Sequence, residues 1–112
     1  MSFANRYNKG SKFDVNTQGF NYKKLADLEE GEVFVLKGLY INYKGTFGPS
    51  PVAILADCFV NLPMYTLSTV ADMIADEMTV ETIKEGHAGF SVEHYTDKNG
   101  VDRLGVRWED VD

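Results

Sequence analysis

Aromatic rings and lysine side chains alternate within one short stretch of this 112-residue chain. The stretch runs from Lys37 to Phe47 and also contains Tyr40, Tyr43 and Lys44. Flat rings stack on nucleic-acid bases, at about 1–3 kcal/mol per base, and ammonium groups pair with phosphates. A protein that binds single-stranded nucleic acid needs both kinds of contact. For any one residue, an ordinary half-buried ring or a solubilising lysine is the better explanation, and only the cluster favours binding.

A C-terminal hairpin supplies a second group of the same kind. Residues 90–96 and 101–108 flank a three-residue loop, and Gly100 in the left-handed conformation would pair Asp97 with Val101. In the register that follows, three pairs share one face of the hairpin: Phe90 with Trp108, Val92 with Val106, and His94 with Leu104. The other face carries Tyr95 beside Arg103, Ser91 beside Arg107, and Glu93 beside Gly105.

The predicted nucleic-acid interface combines these two groups. The proposed stacking residues are Tyr40, Tyr43, Phe47 and Tyr95. The proposed phosphate contacts are Lys37, Lys44, Arg103 and Arg107.

Groups that could perform catalysis are sparse. His87 and His94 are each better explained as satisfied histidines than as a general base or metal ligand. Cys58 lies in an apolar segment without a nearby histidine, no Cys/His spacing fits zinc, and a buried cysteine is usually inert. Residues 45–48 lack the lysine and hydroxyl that follow the glycines of a P-loop. We therefore expect no enzyme activity, cofactor or metal, and a small hydrolase using Cys58 is the least favoured alternative.

The net charge of −6 argues against a protein whose whole surface attracts nucleic acid. The charge is uneven: residues 1–47 carry seven basic and five acidic side chains, and residues 48–112 carry four and twelve. A protein can contact phosphates through one basic region while the rest of its surface stays acidic. The alternative is that the acidic surface only keeps a small protein in solution.

The rings and lysines between Lys37 and Phe47 are positioned by two segments with the composition of β-strands, residues 33–42 and 52–60. The connection between them is too long for a tight turn and is typical of a binding loop. The apolar positions of the first segment change phase at Gly38, which predicts a bulge or sharp bend there. The bend leaves Lys37 and Tyr40 outside, whereas a regular strand would turn the lysine into the core. Four apolar side chains then face inward: Phe34, Leu36, Leu39 and Ile41.

A helix is predicted after Pro63, which stops the second long strand. Thr66 or Ser68 would cap it, and a further turn or two would end at Gly86. Its apolar side chains recur at helical spacing: Leu67, Val70, Ala71, Ile74 and Met78. Before the long strands, residues 13–16 fit a short edge strand and residues 23–29 a helical turn.

This order of elements predicts a mainly-β fold, a five-stranded OB-fold-like barrel with one α-helix between strands 3 and 4. The length fits a single domain. We divide the chain into a flexible basic and aromatic arm (1–12), the OB-fold-like domain (13–108) and a short acidic tail (109–112). No apolar run is long enough for a membrane span or a secretory signal, and one cysteine cannot form an internal disulfide. A cytoplasmic location is therefore expected.

Several short motifs resemble the small single-stranded DNA-binding proteins of phages and prophages of Gram-positive bacteria. The motifs are residues 13–17 (FDVNT), residues 40–42 with Lys44, Phe47 and Gly48, residues 60–63 (VNLP), and Gly89-Phe90 before Tyr95. The resemblance spans most of residues 13–108. It implies an OB fold, a self-associating assembly, a role in DNA replication or recombination in the host cytoplasm, and binding through Tyr40, Lys44 and Phe47. Cellular single-strand binders often end in an acidic tail closed by an aromatic residue, and this chain departs from that pattern because it closes on Asp112.

The sequence thus predicts a non-enzymatic protein that binds single-stranded DNA with little sequence preference. RNA is left open as a ligand, a homo-oligomer with a dimer favoured is expected, and neither a membrane nor a small-molecule substrate is. The alternative is a protein–protein interaction or assembly module: an acidic β-barrel without a nucleic-acid ligand.

Overall fold

The computed structural model describes residues 13, 15–44 and 48–112. The strands in these ranges are β1 (Asn21–Lys24), β2 (Val33–Val35), β3 (Gly38–Asn42), β4 (Ser50–Ile54), β5 (Cys58–Asn61), β6 (Ala88–Thr96) and β7 (Asp102–Asp110). The helices are α1 (Leu67–Ala75) and α2 (Glu77–Lys84), with 3₁₀ turns at Leu25–Asp27 and Met64–Thr66. The predicted arm at residues 1–12 lies outside the described residues.

The strands form two sheets. The four-stranded sheet has the order β1-β5-β4-β3, and the three-stranded sheet has the order β2-β6-β7. β1 pairs with β5 in parallel, and every other pair is antiparallel. The fold is mainly β, as predicted.

The described strands do not close into the predicted five-stranded barrel. Closure would need β5 to pair with β7, and β1 already takes the free edge of β5. The edge of β7 has a different partner, because the Val106 N–H donates to the Tyr65 hydroxyl at 3.0 Å. The predicted edge strand at 13–16 is also wrong: residues 13, 15 and 16 are not in a strand, and Asn21–Lys24 forms the edge strand instead.

The predicted bend in the first long segment is confirmed, and there the chain passes from one sheet to the other. The Leu36 N–H donates to the Ala88 carbonyl in the three-stranded sheet at 2.9 Å, and the Lys37 N–H donates to the Ile54 carbonyl in the four-stranded sheet at 2.7 Å. The next residue is Gly38, and a larger residue would not fit there, because a Cβ at this position would lie 2.9 Å from the Phe13 Cβ. The side chains predicted to face inward either belong to the core or pack against it: Leu36, Leu39, Phe34 and Ile41.

The predicted strand at residues 52–60 is in fact two antiparallel strands. β4 ends at Ile54 and β5 begins at Cys58, and the Leu55 N–H donates to the Cys58 carbonyl at 2.9 Å to close the turn. Leu55 is buried and Asp57 is the only polar residue of this turn, so composition alone did not mark it.

The predicted helical region contains two helices rather than one. Asp76 has extended backbone angles (φ −94°, ψ 111°), ends α1 and begins α2. Its carboxylate accepts a hydrogen bond from the Thr79 hydroxyl at 2.5 Å. This break changes the helical phase, so Met78 is 80% exposed instead of facing inward as predicted. Gly86, at φ +81°, ends α2 as expected.

The C-terminal hairpin has the predicted register at every position. Phe90 lies opposite Trp108, Val92 opposite Val106, and Tyr95 opposite Arg103. The loop has the predicted form, since the Asp97 N–H donates to the Val101 carbonyl at 3.0 Å and Gly100 has φ +79°. β7 continues into the segment assigned to the acidic tail and ends at Asp110.

The core lies between the two sheets and the helices. Its fully buried side chains come from both sheets and from α1 and α2, and include Leu36, Leu39, Val60, Val70, Ile83 and Phe90. Neither helix in the described ranges has the length and apolar character that a membrane span requires.

Candidate nucleic-acid interface

One face of the four-stranded sheet carries aromatic and polar side chains. Leu39, Ala53 and Val60 lie side by side and belong to the core. Since successive strand residues point to opposite faces, the neighbours of these residues lie on the other face of the sheet, where Val52 and Ile54 are buried and Tyr22 is exposed. Register then places Tyr40 beside Val52, Val52 beside Asn61, Asn61 beside Lys24, and Phe59 beside Tyr22. We call the set Phe20, Tyr22, Lys24, Tyr40, Phe59 and Asn61 the aromatic face.

Four rings of the aromatic face form one cluster, with Phe59 at its centre. Its ring centroid lies 4.7 Å from that of Tyr22, 5.5 Å from Phe20 and 5.8 Å from Tyr40. Tyr22 is 52% exposed and the other three rings are half-buried. The half-buried rings therefore support an exposed one, which leaves a flat surface open to a ligand that stacks.

The hydroxyl groups of Tyr22 and Tyr40 share a hydrogen bond across this cluster. Burial raises the pKa of Tyr40 well above its usual range, and the hydrogen bond with Tyr22 raises it further. The Tyr40 hydroxyl therefore stays neutral in mildly alkaline solution, so it adds no negative charge that would repel a phosphate chain.

Lysines border the aromatic face at both edges of the sheet. Lys24 lies in β1, one edge strand, and Lys44 follows β3, the other edge strand, in a turn where its N–H donates to the Asn42 side chain at 3.0 Å. Tyr43 in the same turn is 72% exposed. Within the described ranges no lysine ammonium nitrogen has a carboxylate oxygen within 4.0 Å.

The outward face of the three-stranded sheet carries the second predicted group. We call Tyr65, Tyr95, Arg103 and Arg107 the hairpin face. The Arg103 Nε lies 2.6 Å from the Asp97 carboxylate, and the Arg107 Nε lies 3.4 Å from that of Glu109. The bond that Arg103 donates holds the pKa of Asp97 below its usual range, and Asp97 raises the pKa of the guanidinium in turn. Both arginines already face a negative charge of the protein.

The two tyrosines of the hairpin face form a corner over Gly105. Their ring centroids are 6.3 Å apart at an interplanar angle of 85°. A Cβ on Gly105 would lie 2.8 Å from the Tyr65 hydroxyl and 3.0 Å from the Tyr95 ring. The hydroxyl in turn accepts the Val106 N–H, so Tyr65 satisfies a backbone donor at the edge of β7.

The predicted interface is thus divided between two sheets. Tyr40, Tyr43 and Lys44 lie together at the end of β3, whereas Lys37 lies before β3 begins. Three further predicted residues belong to the hairpin face: Tyr95, Arg103 and Arg107. Phe47 lies outside the described residues.

Sequence reasoning missed five of the six residues of the aromatic face: Phe20, Tyr22, Lys24, Phe59 and Asn61. The alternation of Phe20, Tyr22 and Lys24 is a strand signal with one aromatic and basic side. It went unused because the parallel pairing of β1 with β5 joins segments far apart in the chain, and no local pattern specifies that pairing.

The histidines and the cysteine have structural surroundings. The His94 ring nitrogens lie 3.1 Å from Glu30 and 3.2 Å from Asp102, and the His87 Nδ1 lies 3.0 Å from the Val111 carbonyl oxygen. Burial raises the pKa of the Cys58 thiol, and a hydrogen bond with Asp57 adds to the shift, so the reactive thiolate is disfavoured. No three His, Cys, Asp or Glu side chains in the described ranges are grouped so as to hold a metal ion.

No protein-family model, curated protein or solved structure matches this chain. The site is therefore judged on its own geometry and charge.

Proposed function

We propose that this protein binds single-stranded DNA with little sequence preference and is not an enzyme. The observation that carries the proposal is the aromatic face, where four rings meet and the lysines at both edges have no carboxylate partner in the described ranges. Base stacking tolerates every sequence because every base has a flat face, and ammonium groups follow the phosphate chain.

A strand lying across the four-stranded sheet would meet a cation at each edge and rings between them. Three inter-strand spacings of about 4.8 Å separate β1 from β3, which gives a width of about 14 Å. The exposed rings of Tyr22 and Tyr43 suit direct stacking, while Tyr40 and Phe59 hold Tyr22 in place. Lys24 and Lys44 would contact phosphates on either side.

We further propose that the fold is an opened form of the OB arrangement. The broken strand β2–β3 pairs with β6 in one half and β4 in the other, β5 continues the meander, and both helices lie between β5 and β6. This connectivity and the short motifs described above support a phage-type protein of DNA replication or recombination that acts as a homodimer in the cytoplasm.

A protein-interaction or assembly module is the second candidate. The observation that favours it is β7, a nine-residue strand at the edge of the three-stranded sheet. Edge strands recruit strands of other chains, and the net charge of −6 does not oppose a protein partner. In this case nucleic acid would not compete with the partner.

The experiment is a fluorescence anisotropy titration with labelled oligo-dT at low and high salt, with the matching RNA oligomer as a second ligand. We expect affinity that falls steeply as salt rises and a clear loss in the variant Tyr40→Ala with Lys44→Ala. Affinity no better than millimolar at low salt, or an unchanged affinity in that variant, would reject DNA binding at this face and favour the interaction module.

A further inference from the structure

A second basic site lies where α2 ends beside the crossing between the two sheets. A cleft of about 520 Å³ there is lined by Val15, Asn16, Lys37, Ile83 and Lys84. Among the described residues that line the cleft, two are lysines and none is acidic. The aromatic face has no part in this cleft.

The chain brings the two lysines together through their buried neighbours. Leu36 and Ile83 are 1% and 2% exposed and both line an adjoining pocket. Residues 36–37 and 83–84 therefore lie near each other, with the apolar residue of each pair inside and the lysine outside. The backbone is fixed on both sides: the Lys37 N–H donates to Ile54 at 2.7 Å, and α2 is hydrogen-bonded to its end.

Both lysines lack a counter-charge within the described ranges, where neither has a carboxylate oxygen within 4.0 Å. Two ammonium groups that face one cleft repel each other, and a bound anion would relieve that repulsion. Asn16 supplies a neutral donor: its side-chain oxygen accepts the Gln18 N–H at 3.1 Å, which directs the NH₂ group as the donor toward a ligand.

We propose that this cleft binds a phosphate group, held by Lys37, Lys84 and the Asn16 amide. The phosphate comes either from a bound single strand or from free phosphate in solution. The proposal rests on the proposed function only in the first case, where the cleft adds a contact beyond the aromatic face.

The first arm of the test measures how oligo-dT affinity depends on salt in the full chain and in Lys84→Gln. Each phosphate contact to a single strand contributes about 0.7 to the slope of log affinity against log salt. We expect Lys84→Gln to lose about that amount. The matched control is Lys98→Gln, which removes the same charge from the exposed hairpin loop, outside the cleft, and should leave the slope unchanged.

The second arm titrates the isotope-labelled full chain with inorganic phosphate at low ionic strength and follows amide shifts by NMR. We expect saturable shifts at residues 15, 16, 37 and 84 that disappear in Lys37→Gln with Lys84→Gln. If phosphate causes amide shifts but Lys84→Gln leaves the salt slope of oligo-dT affinity unchanged, the ligand is free phosphate. If Lys84→Gln reduces that slope but phosphate causes no shifts, the ligand is the bound strand.

The proposal is overturned if Lys84→Gln and Lys98→Gln give the same slope and phosphate produces no saturable shift. A chain that binds no oligo-dT at all would refute the proposed function, and the phosphate titration would then decide this site alone.

Discussion

The outward faces of the two sheets carry similar residues in different electrostatic settings. The ammonium nitrogens of Lys24 and Lys44 border the aromatic face without a carboxylate oxygen within 4.0 Å in the described ranges, whereas Arg103 and Arg107 on the hairpin face are paired with Asp97 and Glu109. The rings differ as well, since Tyr65 satisfies a backbone donor of β7, whereas the hydroxyls of Tyr22 and Tyr40 bond to each other.

This contrast separates a binding surface from a structural one. An arginine whose charge is balanced by a neighbouring carboxylate gains less from a phosphate than an unpaired lysine does. Residue type alone placed both groups in one predicted interface. This difference in ion pairing is why we propose the aromatic face, and not the hairpin face, as the surface that binds a ligand.

The largest expected effect comes from removing rings of the aromatic face. The variant Tyr22→Ala with Tyr40→Ala removes one stacking ring, at about 1–3 kcal/mol per base, together with the ring that supports it, so we expect a loss of at least about 1–3 kcal/mol in oligo-dT affinity. Anisotropy titration at low salt measures the loss. Thermal unfolding of the same variant checks that it is folded, because Tyr40 is half-buried.

The matched control removes two rings from the other sheet, as Tyr65→Ala with Tyr95→Ala. We expect its oligo-dT affinity to equal that of the unaltered chain. An equal loss in both double variants would mean that the two faces bind together, and the contrast between them would be lost.

A methyl group at Gly89 tests the structural role of the three-stranded sheet. Its Cβ would lie 2.6 Å from the Phe34 carbonyl oxygen, so the backbone must move. We expect Gly89→Ala to lower the free energy of unfolding by about 1–3 kcal/mol, as overpacking usually does. Urea unfolding measures this, and oligo-dT affinity should be unchanged wherever the variant is folded.

Gly105→Ala gives the milder comparison within the same sheet. Its Cβ would meet the Tyr65 hydroxyl at 2.8 Å, and that exposed side chain can rotate away. The expected loss is therefore smaller than for Gly89→Ala. A Gly105→Ala variant less stable than Gly89→Ala would show that Tyr65 is held more firmly than its exposure suggests.

Charge removal should affect the two faces differently. Lys24→Gln with Lys44→Gln is expected to reduce the salt slope of oligo-dT affinity by about 1.4, from two contacts at about 0.7 each. Arg103→Gln with Arg107→Gln should change it little, because these charges are already paired. A larger reduction in the arginine variant than in the lysine variant would contradict the assignment of phosphate contacts.

The smallest expected effects concern pH, and they have opposite signs on the two faces. The raised pKa of Tyr40 means that its contribution to stability is present below about pH 10, the unfolded tyrosine value, and is lost as pH rises further. The lowered pKa of Asp97 means that its contribution is present above about pH 4 and is lost as pH falls.

Urea unfolding across pH measures both effects. Tyr40→Phe should flatten only the alkaline decline in stability, and Asp97→Asn only the acidic one. If neither variant changes its side of the pH profile, these hydrogen bonds do not contribute to stability as described.

Local patterns predicted the parts of the fold that local physics determines. The hairpin register followed from one glycine-containing loop and the alternation of Phe90, Val92 and His94, and the bend at Gly38 followed from a change of phase. The turn between β4 and β5 was missed because only one of its residues, Asp57, is polar. The position of the helix break was missed because Asp76 fits an exposed helix position as well as it fits a cap.

The candidate site depended on pairing between distant segments, which sequence patterns do not specify. Tyr40 and Lys44 were predicted, whereas Tyr22 and Lys24 reach the same surface only through the parallel pairing of β1 with β5. The pairing of Arg103 with Asp97 was equally invisible, since the two lie on opposite sides of the hairpin loop.

The most direct test maps the contact surface by NMR, with the isotope-labelled full chain titrated with oligo-dT at low salt. We expect saturable amide shifts on β1, β5 and the end of β3, around Tyr22, Asn61 and Lys44, with β7 unchanged at Arg103 and Arg107. Shifts confined to β6 and β7, or no saturable shift at all, would contradict the claim that the aromatic face binds a single strand.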